Sequence, residues 1–157
     1  MDEKLISNII SSVISEINGK KLNLAAARDL IYKVEEQAKK IGVNAVVAVA
    51  DAGANIIAVE CMDDAYIASY DIAVNKAFTC AALKMPTSKL KKIAQPGQSL
   101  YGIQFTNGGK IVIFGGGVPL YYKGRIVGAL GVSGGSEEQD TALAEYGGKI
   151  FEEEFLR

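Results

Sequence analysis

The sequence has no histidine and no tryptophan among its 157 residues. The lack of histidine excludes a Ser-His-Asp triad, a Cys-His dyad, an HExxH site and every zinc site that uses histidine. It also excludes a haem site with a proximal histidine. Only two cysteines are present, Cys61 and Cys80, and they do not form a CxxC motif. We therefore expect free thiols rather than a disulfide or a thiolate metal site.

Long apolar runs and an excess of charge are also lacking. The 17 basic and 18 acidic residues leave a net charge of −1, which argues against a nucleic-acid partner. No apolar run approaches the ~20 residues that span a bilayer, so no membrane partner is expected. The first ten residues begin acidic and do not resemble a signal peptide. With 49% hydrophobic residues, the chain is predicted to form one cytoplasmic domain over residues 1–157.

The densest pattern lies in residues 111–140, where glycine turns separate three apolar runs. Ile111–Phe114, Leu120–Tyr122 and Arg125–Val132 are rich in β-branched and aromatic residues and are predicted strands. Lys123-Gly124 is a predicted two-residue hairpin turn. Pro119 cannot donate to a sheet, so its strand is expected at an edge or at a bulge.

Two further signals follow in the same stretch. Ser136 and Gln139 have the spacing of a capping box, which predicts a helix from about Glu137. That helix contains Gly147-Gly148, which costs about 1 kcal/mol per glycine relative to alanine. We expect close approach of another helix or subunit to compensate for this cost. Gly115-Gly116-Gly117 either lines a ligand pocket or simply bends the backbone.

The remaining chain alternates helical and strand periodicity. Its predicted elements are helices over residues 3–17, 24–41, 66–83 and 137–155, a short helix ending at Ile93, and strands Ala45–Ala50 and Ile56–Glu60 around a turn made by Asp51. Together with the three runs above, this order predicts one antiparallel five-stranded sheet with helices on both faces. The first helix carries a wide apolar stripe, which could cover the sheet or pair with another subunit.

The helix predicted over residues 66–83 is apolar on two sides, so we expect it between two layers. Lys76 lies among its apolar residues, where a lone ammonium is costly unless it is paired or contacts an anion. Two interpretations follow: a snorkelling or salt-bridged lysine, or a lysine that binds an anionic ligand with the Thr79 hydroxyl nearby. The irregular stretch 84–110 is either a solvated basic face or a lid that covers a flat ligand with Tyr101 and Phe105.

Several long motifs make the sequence resemble a known family. FGGGVPL, GRIVGALGVSGG and EEQD, with the upstream VVAVADAGANIIAVECMDDA and AQPGQSLYGIQ, resemble the GlcG/HbpS family, also called the haem-degrading domain family. The same domain forms the C-terminus of some PduO-type cobalamin adenosyltransferases. The resemblance covers about residues 22–150. It implies an α+β, profilin-like three-layer α-β-α sandwich and a homo-oligomer, with an octamer among the possible states.

The resemblance also implies a haem or other tetrapyrrole cofactor and a role beside cobalamin-dependent diol, glycerol or glycolate metabolism. The residues predicted to hold the ligand are Lys76, Thr79, Tyr70, Cys80, Gly116, Gly117 and Tyr101. Because histidine is lacking, the candidate axial ligands are Tyr66, Tyr70, Met62 and Cys80. The alternatives are a pocket for a small organic acid or aldehyde, and a structural oligomer without ligand. No nucleophile–base pair is evident, so no catalytic residue is assigned.

Overall fold

The computed structural model describes residues 2–18 and 21–155, without the side chains of residues 14–18. Its helices and strands follow one another along the chain as α1 (Glu3–Asn18), α2 (Leu24–Lys40), β1 (Val46–Asp51), β2 (Ile56–Cys61), α3 (Ile67–Leu83), α4 (Thr87–Ile93), β3 (Gly117–Tyr122), β4 (Arg125–Ser133) and α5 (Glu137–Phe155). Two single 3-10 turns, Ile103–Phe105 and Asn107–Gly109, lie between α4 and β3.

The sheet of the described chain has four antiparallel strands in the order β2-β1-β4-β3, so the prediction of five strands is wrong. The missing strand is Ile111–Phe114. One of its backbone donors binds a side chain instead of a neighbouring strand: the N–H of Val112 donates to Thr79 Oγ1 at 3.0 Å. The segment therefore lies against α3 as an extended connection.

The hairpin between β3 and β4 confirms two local predictions, the two-residue turn and the position of Pro119 in an edge strand. Lys123 and Gly124 form its two-residue turn with φ values of 47° and 74°, as a type I′ turn requires. Pro119 lies in β3, an edge strand, where its missing N–H costs no ladder hydrogen bond. The register shifts by a bulge between Leu120 and Tyr121.

Helices cover both faces of the sheet, which places the core in two layers. On one face α2 and α5 pack on the strands, and on the other α3 packs on β1, β4 and β3. At Gly147 a Cβ atom would lie 2.8 Å from Val34 Cγ2 of α2, so α5 and α2 are in close contact there. The expected close approach at Gly147 is thus to a helix of the same chain.

The structure limits the prediction that α3 lies between two layers, and it decides against one of the two alternatives for the stripe of α1. Helix α3 is open to solvent at its first turn, where Ile67 is 97% exposed and Tyr70 is 54% exposed. Its second half is also contacted by residues 110–112, through Thr79, and by α4. Helix α1 does not bury its stripe on the sheet, because every side chain of residues 3–13 is exposed. Among the residues that the structure describes, no helix is long and apolar enough to cross a membrane.

Candidate functional site

Lys76 lies at the centre of the molecule with no solvent exposure. Its Nζ donates to the carbonyl oxygen of Val132 at 2.7 Å and to Asp140 Oδ2 at 3.0 Å. Burial lowers the pKa of Lys76 below its usual value, while the charge of Asp140 acts in the opposite direction. The Phe114 ring centre lies 5.0 Å from the ammonium. Lys76 is therefore an internally paired cation, which is the first of the two interpretations offered above.

Asp140 reaches Lys76 because of how α5 begins. The capping box is present in both directions: Ser136 N–H donates to Gln139 Oε1 at 2.9 Å, and Gln139 N–H donates to Ser136 Oγ at 3.2 Å. This cap fixes the first turn, in which Asp140 Oδ1 accepts from Gly135 N–H at 2.8 Å. Sequence reasoning did not pair Asp140 with Lys76. Helical spacing in the sequence could have shown that Asp140 faces the core, since it continues the buried stripe of Leu143, Ala144 and Gly147.

The glycines predicted to line a pocket instead lie tightly against α3. A Cβ at Gly116 would overlap Lys76 Nζ, and one at Gly117 would lie 2.8 Å from Cys80 Sγ. Gly117 N–H also donates to Thr87 Oγ1 at 2.9 Å. The structure thus brings Lys76, Cys80, Gly116 and Gly117 together, but in direct packing contact with one another.

Thr79 and Cys80 also face the interior. The Thr79 hydroxyl donates to Asn75 O at 2.7 Å and accepts from Val112 N–H, so it attaches the extended segment to α3. Burial raises the pKa of the Cys80 thiol to about 12, which keeps it protonated and makes it a poor iron ligand. Tyr70 and Tyr101 lie elsewhere, with 54% and 63% of their surfaces exposed, and Phe105 is 82% exposed.

An open cavity of about 270 Å³ lies next to the buried ion pair. Tyr66, Ala68, Ile72 and Phe114 contribute its apolar walls, and the polar part of its lining consists of Ser69, Ser133, Gly134, Gly135, Glu137 and Asp140. Ser69 and Ser133 are buried, and the Ser133 hydroxyl donates to Ser69 Oγ at 3.2 Å. Lys76 is not part of this lining, because Asp140 lies between its ammonium and the cavity.

A second open cavity, of about 490 Å³, adjoins the first. Tyr66, Gly134 and Gly135 line both. Tyr66 immediately precedes α3 and is 73% exposed, so its phenol is accessible at the junction. The fourth candidate ligand, Met62, is partly buried and its Sδ accepts the Ala45 N–H at 3.3 Å. Of the four candidate axial ligands, Tyr66 is the one that these cavities bring to an accessible site.

Glu137 joins the cavity rim to the extended segment. Its Oε2 accepts from Lys91 Nζ at 2.6 Å and its Oε1 accepts from Gly115 N–H at 2.9 Å. The Lys91 hydrogen bond and then the Gly115 N–H lower the pKa of Glu137 below its ordinary value of 4.5. Glu137 therefore stabilises the fold above pH 4.5, and this contribution is lost as the pH falls through the lowered pKa.

We expect Glu137→Gln to lower the free energy of unfolding at pH 7 by about 1 kcal/mol or less, because the Lys91 pair is partly exposed. Below pH 4.5 the difference from the wild type should shrink, since the wild-type carboxylate is then being protonated. Urea titrations at pH 7, 5 and 3.5 measure this. Glu138→Gln, the exposed neighbour in the same turn, controls for the helix dipole. An equal difference at all three pH values would contradict the assignment.

The acidic residues do not converge on a metal site. In the part of the chain that the structure describes, no group of three or more Cys, Asp or Glu side chains is arranged to hold a metal ion. Glu60, Asp63 and Asp64 line an open surface cavity of about 440 Å³ that also contains Lys39. Asp140 and Glu137 each bind a lysine instead.

Comparison with known sequences decides the family. The model of the family described as haem degrading protein HbpS-like matches residues 22–149. This chain belongs to that HbpS-like family. An uncharacterised 15.0 kDa protein from the dhaT-dhaS intergenic region of Citrobacter freundii is 48% identical over 124 residues, which cover 79% of this chain and 87% of that protein. The resemblance inferred from the motifs is thereby confirmed.

Two further relatives are known by an activity or by a bound ligand. The corrinoid adenosyltransferase PduO of Salmonella typhimurium is 41% identical over 110 residues, which are 70% of this chain but a third (33%) of PduO. A crystal structure of a PduOC–haem complex superposes with a TM-score of 0.79 at 36% identity, covering 82% of this chain and 94% of that one. The HbpS-like match begins at residue 22, so helix α1 lies outside the matched region.

Proposed function

We propose that this HbpS-like protein binds haem at the junction of the 270 Å³ and 490 Å³ cavities, with Tyr66 as the axial ligand. The observation that carries the proposal is the exposed Tyr66 phenol between two open cavities in a family that includes a PduOC–haem complex. Tyrosinate is an established ligand of ferric haem. The protein would act as a haem-binding accessory protein rather than as an enzyme.

The residues of this region suit part of a haem site. The ring faces of Tyr66 and Phe114 and the side chain of Ile72 provide apolar walls of the kind that a macrocycle contacts. Asp140 and Glu137 form the polar end of the lining and would repel the haem propionates. Bound haem would supply a redox-active iron, and the chain would supply the phenolate and these apolar contacts.

The same carboxylates bear on the predicted role of Lys76. The acid group beside its ammonium is Asp140 of the chain itself, at 3.0 Å. An acidic ligand would have to displace Asp140 to reach Lys76. We therefore assign to Lys76 a role in supporting the cavity wall, together with Thr79, Cys80, Gly116 and Gly117. Tyr70 and Tyr101 lie outside the proposed contact with haem.

Haemin titration of the wild type and of Tyr66→Phe tests the proposal. We expect saturable binding by the wild type and at least a tenfold weaker Kd for Tyr66→Phe, with loss of the high-spin tyrosinate spectrum. Tyr70→Phe is the matched control, because Tyr70 is also exposed on α3 but does not line either cavity. Unchanged affinity and spectrum in Tyr66→Phe would reject Tyr66 as ligand. The absence of saturable binding by the wild type would reject haem.

A small neutral carbonyl compound is a second candidate ligand. The buried hydroxyls of Ser69 and Ser133 at the cavity floor can hydrogen-bond an aldehyde, whereas Asp140 and Glu137 disfavour an organic acid. A role beside corrinoid-dependent diol or glycerol metabolism would fit the names of PduO and of the dhaT-dhaS relative. Thermal stabilisation by short aldehydes, lost in Ser69→Ala but retained in Ser88→Ala, would support this candidate over haem.

A further inference from the structure

Helix α1 is amphipathic, and its apolar face lies open to solvent. Leu5, Ile9 and Ile10 are 53%, 54% and 51% exposed, and Ile6 and Val13 are 37% and 44% exposed. The same spacing continues in the sequence to Ile14 and Ile17. A helix of 16 residues is only marginally stable alone in water, so a stable α1 needs a surface that covers this face.

The charges of α1 indicate what covers it. At the start of the segment Asp2 and Glu3 outnumber Lys4, and in the sequence at and after its end Lys20 and Lys21 outnumber Glu16, so the first end is net acidic and the second net basic. If a second copy packs antiparallel with residue 11 near the crossing point, Ile9 lies opposite Val13 and Leu5 lies opposite Ile17. The acidic start of one helix then meets the basic segment after the other. Parallel packing would instead bring like charges together at both ends.

The opposite face of α1 makes a lipid surface a poorer partner. Ser7, Asn8 and Ser11 occupy that face with a single basic residue, Lys4, whereas helices that lie on anionic membranes carry several lysines and arginines there. A polar face with one charged residue, Lys4, also adds little repulsion when several such helices approach one another. We therefore propose that α1 is a self-association helix that binds α1 of a second copy of this chain in antiparallel orientation.

This contact uses a segment that the family model does not include, because α1 precedes the family match at residue 22. It is also independent of the haem proposal, because α1 contributes no residue to either cavity. Loss of α1 association should therefore leave haemin binding unchanged, and the two proposals can fail separately.

Sedimentation velocity of the full chain tests the apolar face. We expect Ile9→Ser combined with Ile10→Ser to reduce the mass of the assembly at least twofold, with the thermal unfolding of the domain unchanged. Asn8→Gln combined with Ser11→Gln, on the polar face, should keep the wild-type mass. An equal mass for the wild type and the Ile9/Ile10 variant would overturn the proposal, because a different partner must then cover the face.

Charge exchange tests the orientation. Asp2→Lys combined with Glu3→Lys should weaken association, because both ends of the segment become basic. Adding Lys20→Glu and Lys21→Glu to the same chain should restore it, since each end again meets its opposite in the antiparallel pair. Restoration supports the antiparallel contact with a second copy. Failure of the fourfold variant to recover the wild-type mass at low salt would overturn it.

Discussion

Replacing Asp140 with asparagine is expected to lower the free energy of unfolding by about 3–5 kcal/mol. The side chains of Lys76 and Asp140 are 0% and 5% exposed, so the substitution leaves a buried ammonium without its counter-charge. The Val132 carbonyl and the Gly135 N–H remain in place and cannot neutralise it. Urea or thermal unfolding of Asp140→Asn measures the loss.

Two matched variants isolate the cause of that loss. Glu36→Gln removes the carboxylate of the exposed Lys39–Glu36 pair and should leave the free energy of unfolding nearly unchanged. Lys76→Met combined with Asp140→Leu removes both charges and should recover most of the stability, because apolar replacements often equal a buried ion pair. A loss below about 1 kcal/mol in Asp140→Asn would contradict the role assigned to the pair.

Replacing Gly116 with alanine is expected to cost about 3 kcal/mol or more. The φ of Gly116 is +113°, which side chains rarely adopt, and a Cβ there would lie 2.7 Å from the Val132 carbonyl oxygen and 2.9 Å from Asp140 Cβ. It would also overlap the ammonium of Lys76. The substitution therefore strains the backbone and forces apart the atoms that hold the ion pair.

Gly97→Ala is the matched control for this prediction. Gly97 also has a positive φ, +82°, but a Cβ there meets nothing within 4 Å. It should cost only about 1–2 kcal/mol, the conformational part of the effect. Equal losses at the two positions in urea titrations would show that crowding at Gly116 is negligible. Because Gly116 contacts the ion pair, its effect should also be non-additive with Asp140→Asn.

Features set by neighbouring residues could be predicted from the sequence. The Asn23 cap of α2, the Ser136–Gln139 capping box and the Lys123-Gly124 turn each depend on residues within three positions of one another. The prediction that Asp51 makes the turn between β1 and β2 is also confirmed, since its Oδ1 accepts from Gly53 N–H at 2.8 Å. Such local hydrogen bonds form in the same way wherever the segment lies in the fold.

Features set by distant residues could not be predicted in this way. Ile111–Phe114 has the composition of a strand, but Thr79 and Glu137, 33 and 22 residues away from the amides they bind, hold its backbone outside the sheet. The partner of Lys76 is 64 residues away in the sequence. Periodicity shows that Lys76 faces the core, but it contains no information about which acid the fold brings there.

The burial of Cys80 has a practical consequence for spectroscopy. Of the two thiols in the sequence, Cys61 is exposed, whereas Cys80 is buried and protonated at neutral pH. A maleimide dye should therefore attach to Cys61 alone while the fold is intact, and the second thiol should react only when the core opens. The natural sequence thus provides a single site for a fluorescent label at the end of β2. The rate at which the Cys80 thiol reacts would report how often the core opens.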